Sequence, residues 1–199
     1  KRLIAVPIVG TAPQYRELLQ TIQKRSVKVD SLYAGDTIKI DNHTSITFLW
    51  PLKKYVSSVV KKSDEKGWAK YETDVDPNLI SQVFVFRHDD FQALFTGDST
   101  IDIFDKLQEL YRCNGRKKTP DQFFCFSTRI SLLKVPHHGS KNALNKRFLS
   151  FINPKVSVIS VGRKNQYGHP SLEVLDYFRA TGKQYFTTSE RGNVDVIVP

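Results

Sequence analysis

The chain has 199 residues, of which 40% are hydrophobic and 25% charged, and its formal net charge is +10. This length suits one domain with its own hydrophobic core, and we expect residues 1–199 to form a single domain. The sequence contains no apolar run of about 20 residues, as a membrane-spanning helix requires, and no recognisable signal peptide. The positive charge favours a polyanionic partner, either nucleic acid or anionic lipid, with a merely solubilising surface as the alternative.

The first third of the chain predicts one helix and two short strands. A helix is predicted over residues 11–24, with Thr11 as its cap, because apolar residues recur there at helical spacing. Strands are predicted over 37–40 and 45–49, joined by a turn. The polar segment 61–71 is expected to be a surface loop.

The rest of the chain alternates strands with helices. Apolar runs predict strands over 81–86, 92–95, 131–135, 156–161, 185–187 and 194–198. Helices are predicted over 103–111, after a cap at Ser140, and over 171–179. This alternation predicts an α/β fold with helices covering a sheet. Residues 113–121 are expected to form a basic surface loop, and Cys113 and Cys125 to be unpaired thiols.

Candidate metal ligands follow two of the predicted strands directly. Asp98 ends the segment Phe95-Thr96-Gly97-Asp98, and His137 and His138 follow a strand in Val135-Pro136-His137-His138-Gly139-Ser140. Carboxylate and imidazole together suit borderline ions such as zinc. Taken alone, Asp98 would be interpreted as a turn residue that caps the next helix, but the paired histidines favour a ligand. His43 and His88 lie in turn-like contexts and are expected to be ordinary surface residues.

The roles of the remaining polar residues are less sharply defined. Adjacent side chains on a strand point to opposite faces, so one of His137 and His138 is expected to bind metal while the other supports the site or faces substrate. The sequence does not decide between them. His169 is predicted to be a ligand or a contact to the scissile phosphate, the alternative being a helix N-terminal residue without chemical role. Ser140 and Ser171 are expected mainly to cap helices, whose N-termini would then favour an anionic substrate.

These motifs resemble the second half of a metallo-β-lactamase-fold hydrolase, most closely the ComEC-like branch of competence proteins. The likeness extends to Phe48-Leu49-Trp50-Pro51, Asn78-Leu79-Ile80-Ser81, Ile159-Ser160-Val161-Gly162 and Gly168-His169-Pro170. The resemblance implies a metallo-β-lactamase-like αββα sandwich. The His-x-His-x-Asp-His loop that normally opens the site in that superfamily is absent from this sequence. We therefore expect the first ligand-bearing part of the fold to be missing from this chain, with a short protein that lost the loop as the alternative.

The resemblance also implies the chemistry. It predicts a metal-dependent hydrolase, preferably a phosphodiesterase or nuclease acting on DNA or another nucleic acid, with two Zn or Mn ions in the intact domain. Metal ligands are then Asp98, which bridges the ions, together with His137 and His138. Catalytic residues are Asp98, His138 and His169. The basic residues that flank the motifs add predicted phosphate contacts at Lys134, Ser140, Lys141, Arg163, Lys164 and His169.

Two other functions remain open. A non-catalytic nucleic-acid-binding module on a degenerate hydrolase fold would explain the charge and the absent loop together. Phe123, Phe124 and Phe126 could then stack on bases, although core packing is the simpler interpretation. A small-ester or lactone hydrolase is the other alternative, because one fold hosts many reactions. 

The context of the chain is predicted only in outline. We expect a cytoplasmic location, or an extracytoplasmic one if the chain belongs to a ComEC-type membrane protein. One Asp and two or three His cannot fill two coordination spheres, so this chain by itself is expected to bind metal weakly or to be inactive. The missing part of the fold is the expected partner, and the sequence does not fix the oligomeric state.

Overall fold

The computed structural model describes residues 2–6, 8–9, 13–63, 69–71, 76–112, 124–126 and 130–198. The strands in these ranges are β1 (Arg2–Ile4), β2 (Ile8–Val9), β3 (Lys28–Asp30), β4 (Thr37–Lys39), β5 (Thr44–Trp50), β6 (Val60–Ser63), β7 (Ala69–Tyr71), β8 (Val83–His88), β9 (Phe91–Phe95), β10 (Leu132–Lys134), β11 (Val156–Ile159) and β12 (Gln184–Thr187). The α-helices are α1 (Pro13–Lys24), α2 (Lys53–Val59), α3 (Ile101–Tyr111), α4 (Lys146–Ile152), α5 (Leu172–Ala180) and α6 (Thr188–Arg191). None of the helices in these ranges has the length and apolar character needed to cross a bilayer.

A mixed seven-stranded sheet organises the chain, in the order β12-β11-β10-β9-β8-β5-β4. Strands β9 to β12 are parallel to one another, whereas β8, β5 and β4 pair antiparallel. The apolar runs predicted as strands over 81–86, 92–95, 131–135 and 156–161 thus give β8 to β11 of one sheet. Two smaller sheets are present: one pairs β1 with β3, and the other has the order β2-β7-β6. Because parallel strands end at the same edge, the loops that follow β9, β10 and β11 meet there.

One face of the large sheet forms the hydrophobic core together with α3, α4 and α5. Leu94 of β9 and Leu133 of β10 are neighbours in the ladder, and both are fully buried. The helices contribute buried side chains at Ile103, Phe104, Leu107, Phe148, Leu149, Ile152, Val174 and Phe178. Burying a side chain of this size stabilises the fold by about 1.5–3 kcal/mol. The predicted α/β alternation is confirmed, and this core fixes the strands that carry the site loops.

The opposite face of the sheet carries an aromatic groove of about 570 Å³. Phe84 and Phe95 stack across β8 and β9 with ring centroids 5.0 Å apart. Val196 and Val198 line the same groove. The predicted strand over 194–198 is wrong, because these residues have no regular structure. Their apolar alternation reflects side chains that face the groove, and not a hydrogen-bonded ladder.

The first part of the chain differs from the predictions at the N-terminal helix and at segment 61–71. The helix near the start forms as α1, but none of its side chains is buried, and Thr11 lies outside the described residues. The predicted loop over 61–71 is wrong for the described residues 61–63 and 69–71, which belong to β6 and β7 and pair antiparallel. The sequence did not predict these strands, because a strand with polar residues on both faces lacks the alternation of apolar and polar residues by which strands are recognised.

The cysteine prediction is wrong for Cys125, which is disulfide-bonded. Cys113 and the predicted loop 113–121 lie outside the described residues. A disulfide usually joins residues whose Cα atoms lie about 4.4–6.8 Å apart, and this proximity is set by the fold and not by spacing in the sequence.

Candidate metal centre

Asp98 lies on the loop that follows β9, where a glycine permits a close approach of the backbone. Gly97 has φ +53°, and a Cβ there would stand 3.1 Å from the Ser81 Cβ. The backbone N–H of Asp98 donates to the Ser81 hydroxyl at 3.1 Å. The loop is therefore pinned against Ser81, while the Asp98 side chain remains 40% exposed.

His137 and His138 lie in a tight turn and not on a strand. Both have left-handed backbones, at φ 46° and φ 54°, inside the 3-10 segment Pro136–Gly139. The assumption that they extend from a strand to opposite faces is wrong, since their ring centroids are only 6.4 Å apart. Each left-handed residue costs about 1–2 kcal/mol, and strain of this kind concentrates at functional sites.

His138 is the histidine that faces Asp98. Its Nε2 lies 3.6 Å from the Asp98 Oδ1. Its Nδ1 lies 2.7 Å from the backbone carbonyl oxygen of Ser160, which can only accept a hydrogen bond. The proton is therefore assigned to Nδ1, and the Nε2 lone pair is directed towards Asp98. A carbonyl that fixes the tautomer in this way is the usual support for a metal-binding histidine.

His169 is held rigidly beside His137. Its backbone N–H donates to Asn165 Oδ1 at 2.9 Å, and Asn165 Nδ2 donates back to the His169 carbonyl at 2.6 Å. The His169 and His137 rings are 5.8 Å apart. Burial, reinforced by the neighbouring His137 and His138 rings, lowers the pKa of His169. Its neutral imidazole is therefore favoured near neutral pH.

Direct backbone contacts lock the three site loops together. The N–H of His137 donates to the Gly97 carbonyl at 3.1 Å, and the N–H of Ser171 donates to the Gly139 carbonyl at 2.9 Å. Gly139 has φ +80°, and a Cβ there would stand 2.7 Å from the Pro170 Cβ. Only glycine allows the histidine turn to touch the His169 loop so closely.

Unsatisfied buried polar atoms concentrate on the same loops. Seven buried side-chain nitrogen or oxygen atoms in the described residues lack a hydrogen-bond partner, and five of them lie here: those of Ser99, Thr100, His137, His169 and Ser171. A buried polar group without a partner costs about 1–3 kcal/mol. Such groups commonly take their partner from ordered water, an ion or a ligand.

Two of the predicted phosphate contacts, the half-buried Lys134 and the buried Ser140, form hydrogen bonds within the protein. The Lys134 ammonium donates to the carbonyls of Gly97 and Val135 at 3.0 and 3.3 Å. Burial lowers the pKa of Lys134, and the Asp98 carboxylate opposes this shift. Ser140 is buried, and its hydroxyl accepts from the N–H of Asn142 at 3.3 Å. Lys134 thus ties the two ligand loops together and partly neutralises the carboxylate.

The predicted helix caps also differ from expectation. Asn145 caps α4, because its Oδ1 accepts from the N–H of Phe148 at 2.9 Å. Ser140 instead caps a short 3-10 turn that precedes α4, so the prediction that it begins this helix is wrong. Ser171 stands at the start of α5, but its hydroxyl forms no capping bond.

Of the other four predicted phosphate contacts, His169 is half-buried and the remaining three are exposed. Lys141 lies three residues after His138, while Arg163 and Lys164 begin the loop that carries His169. The Arg163 Nε donates to the Ser189 carbonyl at 3.0 Å, which ties its side chain to α6. The three cations therefore lie on the segments that follow His138 and precede His169 in the chain.

The other aromatic and histidine candidates have structural roles. Phe124 and Phe126 are 7% and 9% exposed and pack in the core, so neither offers a free face to a base; Phe123 lies outside the described residues. His43 Nδ1 lies 2.8 Å from Asp89 Oδ1, at the end of the sheet opposite the site. His88 contacts the Thr44 hydroxyl.

Asp98 and His138 fit two positions of a metal coordination sphere. Ligand bonds of about 2.0–2.1 Å at a tetrahedral angle separate two ligand atoms by roughly 3.3–3.4 Å. The observed 3.6 Å is close to this value. Within the described ranges, however, no group of three or more His, Cys, Asp or Glu side chains is arranged to hold an ion. Asp98 and His138 therefore offer two donor atoms at a separation compatible with a shared ion, and no more than two in the described residues.

Several supporting groups had no sequence signal of their own. The Ser160 carbonyl and the Asn165 side chain fix the two histidines, but backbone carbonyls are present at every residue and Asn165 lies in an irregular loop. The sequence shows Gly139 next to the histidine pair but does not show why a glycine is needed there. Its partner Pro170 is distant in sequence, so their contact emerges only from the fold.

Comparison with known proteins gives partial matches. No protein-family model matches the chain. ComE operon protein 3 of Bacillus subtilis (strain 168) is 33% identical over 66 residues, and Recombination protein 2 of Haemophilus influenzae is 34% identical over 68 residues. An uncharacterised protein, YcaI of Escherichia coli (strain K12), is 33% identical over 68 residues. These alignments span 33–34% of this chain but only 8–9% of the relatives.

A solved structure from Parabacteroides distasonis, provisionally described as a metal-dependent hydrolase, aligns with 92% of this chain and 63% of its own. The TM-score is 0.42 and the sequence identity is 10%. Both values are too low to establish a common fold.

Proposed function

We propose that this chain carries part of a metal-dependent phosphodiesterase site that acts on nucleic acid, on a metallo-β-lactamase-like αββα fold. The observation that carries the proposal is the Asp98–His138 pair, 3.6 Å apart with the histidine tautomer fixed by the Ser160 carbonyl. Two converging donors of this kind have no packing role, because both side chains are 40% or more exposed.

The proposed roles follow from the geometry. Asp98 and His138 would hold a divalent ion such as Zn or Mn, with His137 as a further candidate ligand. Such an ion, when bound, lowers the pKa of coordinated water and stabilises charge on phosphate oxygens. His169 is held neutral beside the ligands, so its imidazole is suited to accept a proton or contact the phosphate. Lys134 connects the two ligand loops by donating hydrogen bonds to the carbonyls of Gly97 and Val135.

The preference for nucleic acid comes from charge and from the relatives. Lys141, Arg163 and Lys164 are three exposed cations on the segments next to His138 and His169 in the chain, and the net charge is +10. Phosphate backbones bind such surfaces through electrostatic attraction and release of counterions. One partial relative is named Recombination protein 2, which supports a nucleic-acid substrate for this chain.

The test is metal-dependent cleavage of DNA by the intact protein, because this chain by itself is expected to bind metal weakly or to be inactive. Cleavage and Mn²⁺ or Zn²⁺ binding are measured for wild type, Asp98→Asn and Asp90→Asn. Asp90 is a matched control, because it stands exposed at the start of β9 while Asp98 follows its end. We expect Asp98→Asn to lose both activities and Asp90→Asn to keep them. DNA binding without cleavage by the wild type would favour the non-catalytic alternative, and cleavage retained by Asp98→Asn would contradict the site.

A further inference from the structure

One aromatic side chain beside the site is strongly exposed and lies next to a site histidine. Tyr167 is 83% exposed, and its ring lies nearly parallel to that of His169, at 20° with centroids 6.1 Å apart. Exposing a large ring to water forgoes the free energy that burial would supply, about 1.5–3 kcal/mol for a side chain of this size. One face of the ring adjoins His169, and the high exposure leaves the rest of the ring accessible.

The loop beneath Tyr167 is pinned at both ends. Asn165 Nδ2 donates to the carbonyls of Gly162 and His169, and its Oδ1 accepts from the His169 N–H. Gly168 supplies a left-handed turn at φ +67° directly after the tyrosine. The exposed ring is thus attached to an ordered backbone. A surface that is already ordered loses little entropy when it binds a partner.

The ring stands at the end of a row that leads to the proposed metal ligands. Centroid distances along it are 6.1 Å from Tyr167 to His169, 5.8 Å on to His137, and 6.4 Å on to His138, which faces Asp98. A base that stacked on Tyr167 would therefore lie at the outer end of this row. Arg163 and Lys164 belong to the same loop and are exposed, so they add positive charge near the platform.

We infer that Tyr167 is a stacking platform for an unpaired base, and that the substrate of this site is single-stranded nucleic acid. Aromatic faces flanked by cations are the usual means of binding single strands, because every base has a face that can stack. The bases of a duplex are already stacked on each other and cannot occupy the platform without being unpaired. This inference rests on the proposed function, since it assigns the substrate class of the same site.

The test uses binding, so that it does not depend on catalysis. A single-stranded oligonucleotide containing 2-aminopurine and its duplex are titrated with the full chain in EDTA, and fluorescence quenching reports stacking. The variants are Tyr167→Phe, Tyr167→Leu and, as a matched control on α1, Tyr15→Leu. Tyr15 is also exposed, at 44%, but belongs to a different element.

We expect Tyr167→Leu to abolish the quenching and to weaken single-strand binding by about 5- to 150-fold, the equivalent of about 1–3 kcal/mol per stacked base. Tyr167→Phe keeps the ring and should retain both, as should Tyr15→Leu. Duplex binding should be unchanged in all variants. Equal single-strand affinity in Tyr167→Leu and wild type, an equal loss for duplex, or no single-strand binding by the wild type would each overturn the inference.

The outcome is separable from that of the proposed function. Cleavage that is absent, or that persists in Asp98→Asn, would contradict the metal site. A Tyr167-dependent preference for single strands would still stand in that case, as a property of binding alone.

Discussion

Nε2 of His138 and Oδ1 of Asp98 lie 3.6 Å apart, although the two residues are separated by 40 positions in sequence. Their proximity follows from the pairing of β9 with β10, which aligns Phe95 with Lys134 and so brings the following loops side by side. The Ser160 carbonyl, at the end of the next strand β11, then sets the histidine tautomer. Three adjacent parallel strands thus supply the carboxylate, the imidazole and the group that orients it.

His138 should be needed for metal affinity and not for the stability of the fold. We expect His138→Gly to lower Mn²⁺ or Zn²⁺ affinity at least about tenfold, as losses in or around a metal site do. Its thermal stability should be unchanged or slightly higher, because glycine relieves the left-handed backbone at φ 54°. Calorimetric metal titration and thermal unfolding measure the two effects. A destabilised variant with unchanged affinity would show that His138 is structural.

Gly139 should be intolerant of any side chain. In Gly139→Ala the new Cβ would lie 2.7 Å from the Pro170 Cβ. The alanine would also have to adopt the backbone angle φ +80°. Overpacking costs about 1–3 kcal/mol, and the left-handed alanine adds about 1–2 kcal/mol. Gly182→Ala is the matched control, with φ +61° but open space around it. We expect denaturant unfolding to show only the smaller backbone cost there, and equal losses would exclude the steric contact.

The strands of the large sheet could be predicted because their apolar runs record burial directly. The pairing of Asp98 with a histidine followed from the same pattern, since strand ends meet at one edge. The left-handed turn at His137 and His138 could not be predicted, because it depends on contacts of Gly139 with Pro170 and of His137 with Gly97. Lys134 was assigned to substrate because its charge is visible in the sequence, whereas the two carbonyls that accept its hydrogen bonds are not.

The His43–Asp89 pair should make stability depend on pH. The hydrogen bond and charge of Asp89 raise the pKa of His43 above its ordinary value of 6.5. The folded protein therefore binds more protons than the unfolded chain between these two pKa values. The stabilisation is complete below pH 6.5 and is lost as pH rises through the folded pKa.

Asp89→Asn isolates this contribution, because asparagine tolerates the left-handed backbone at φ 46°. Both side chains are more than 60% exposed, so the effect is small and is measured as a difference in melting temperature. We expect the melting temperature of the wild type to exceed that of the variant at pH 5.5, and the two melting temperatures to converge at pH 8.5. A gap that is the same at both pH values would show that the pair does not titrate as described.

Lys164 should contribute to binding through phosphate contact and not through sequence recognition. Removing one such contact lowers the magnitude of the salt slope, d log K/d log[salt], by about 0.7 for a single strand. Lys155 offers a matched control, because it is an exposed lysine just before β11, whereas Lys164 follows the other end of that strand near the site. We expect Lys164→Ala to reduce the slope and weaken binding of all sequences alike, and Lys155→Ala to change neither. Affinities measured between 50 and 200 mM salt, roughly the range over which counterion release is steep, provide the slope. Equal slopes for the two variants would place the bound strand away from the His169 loop.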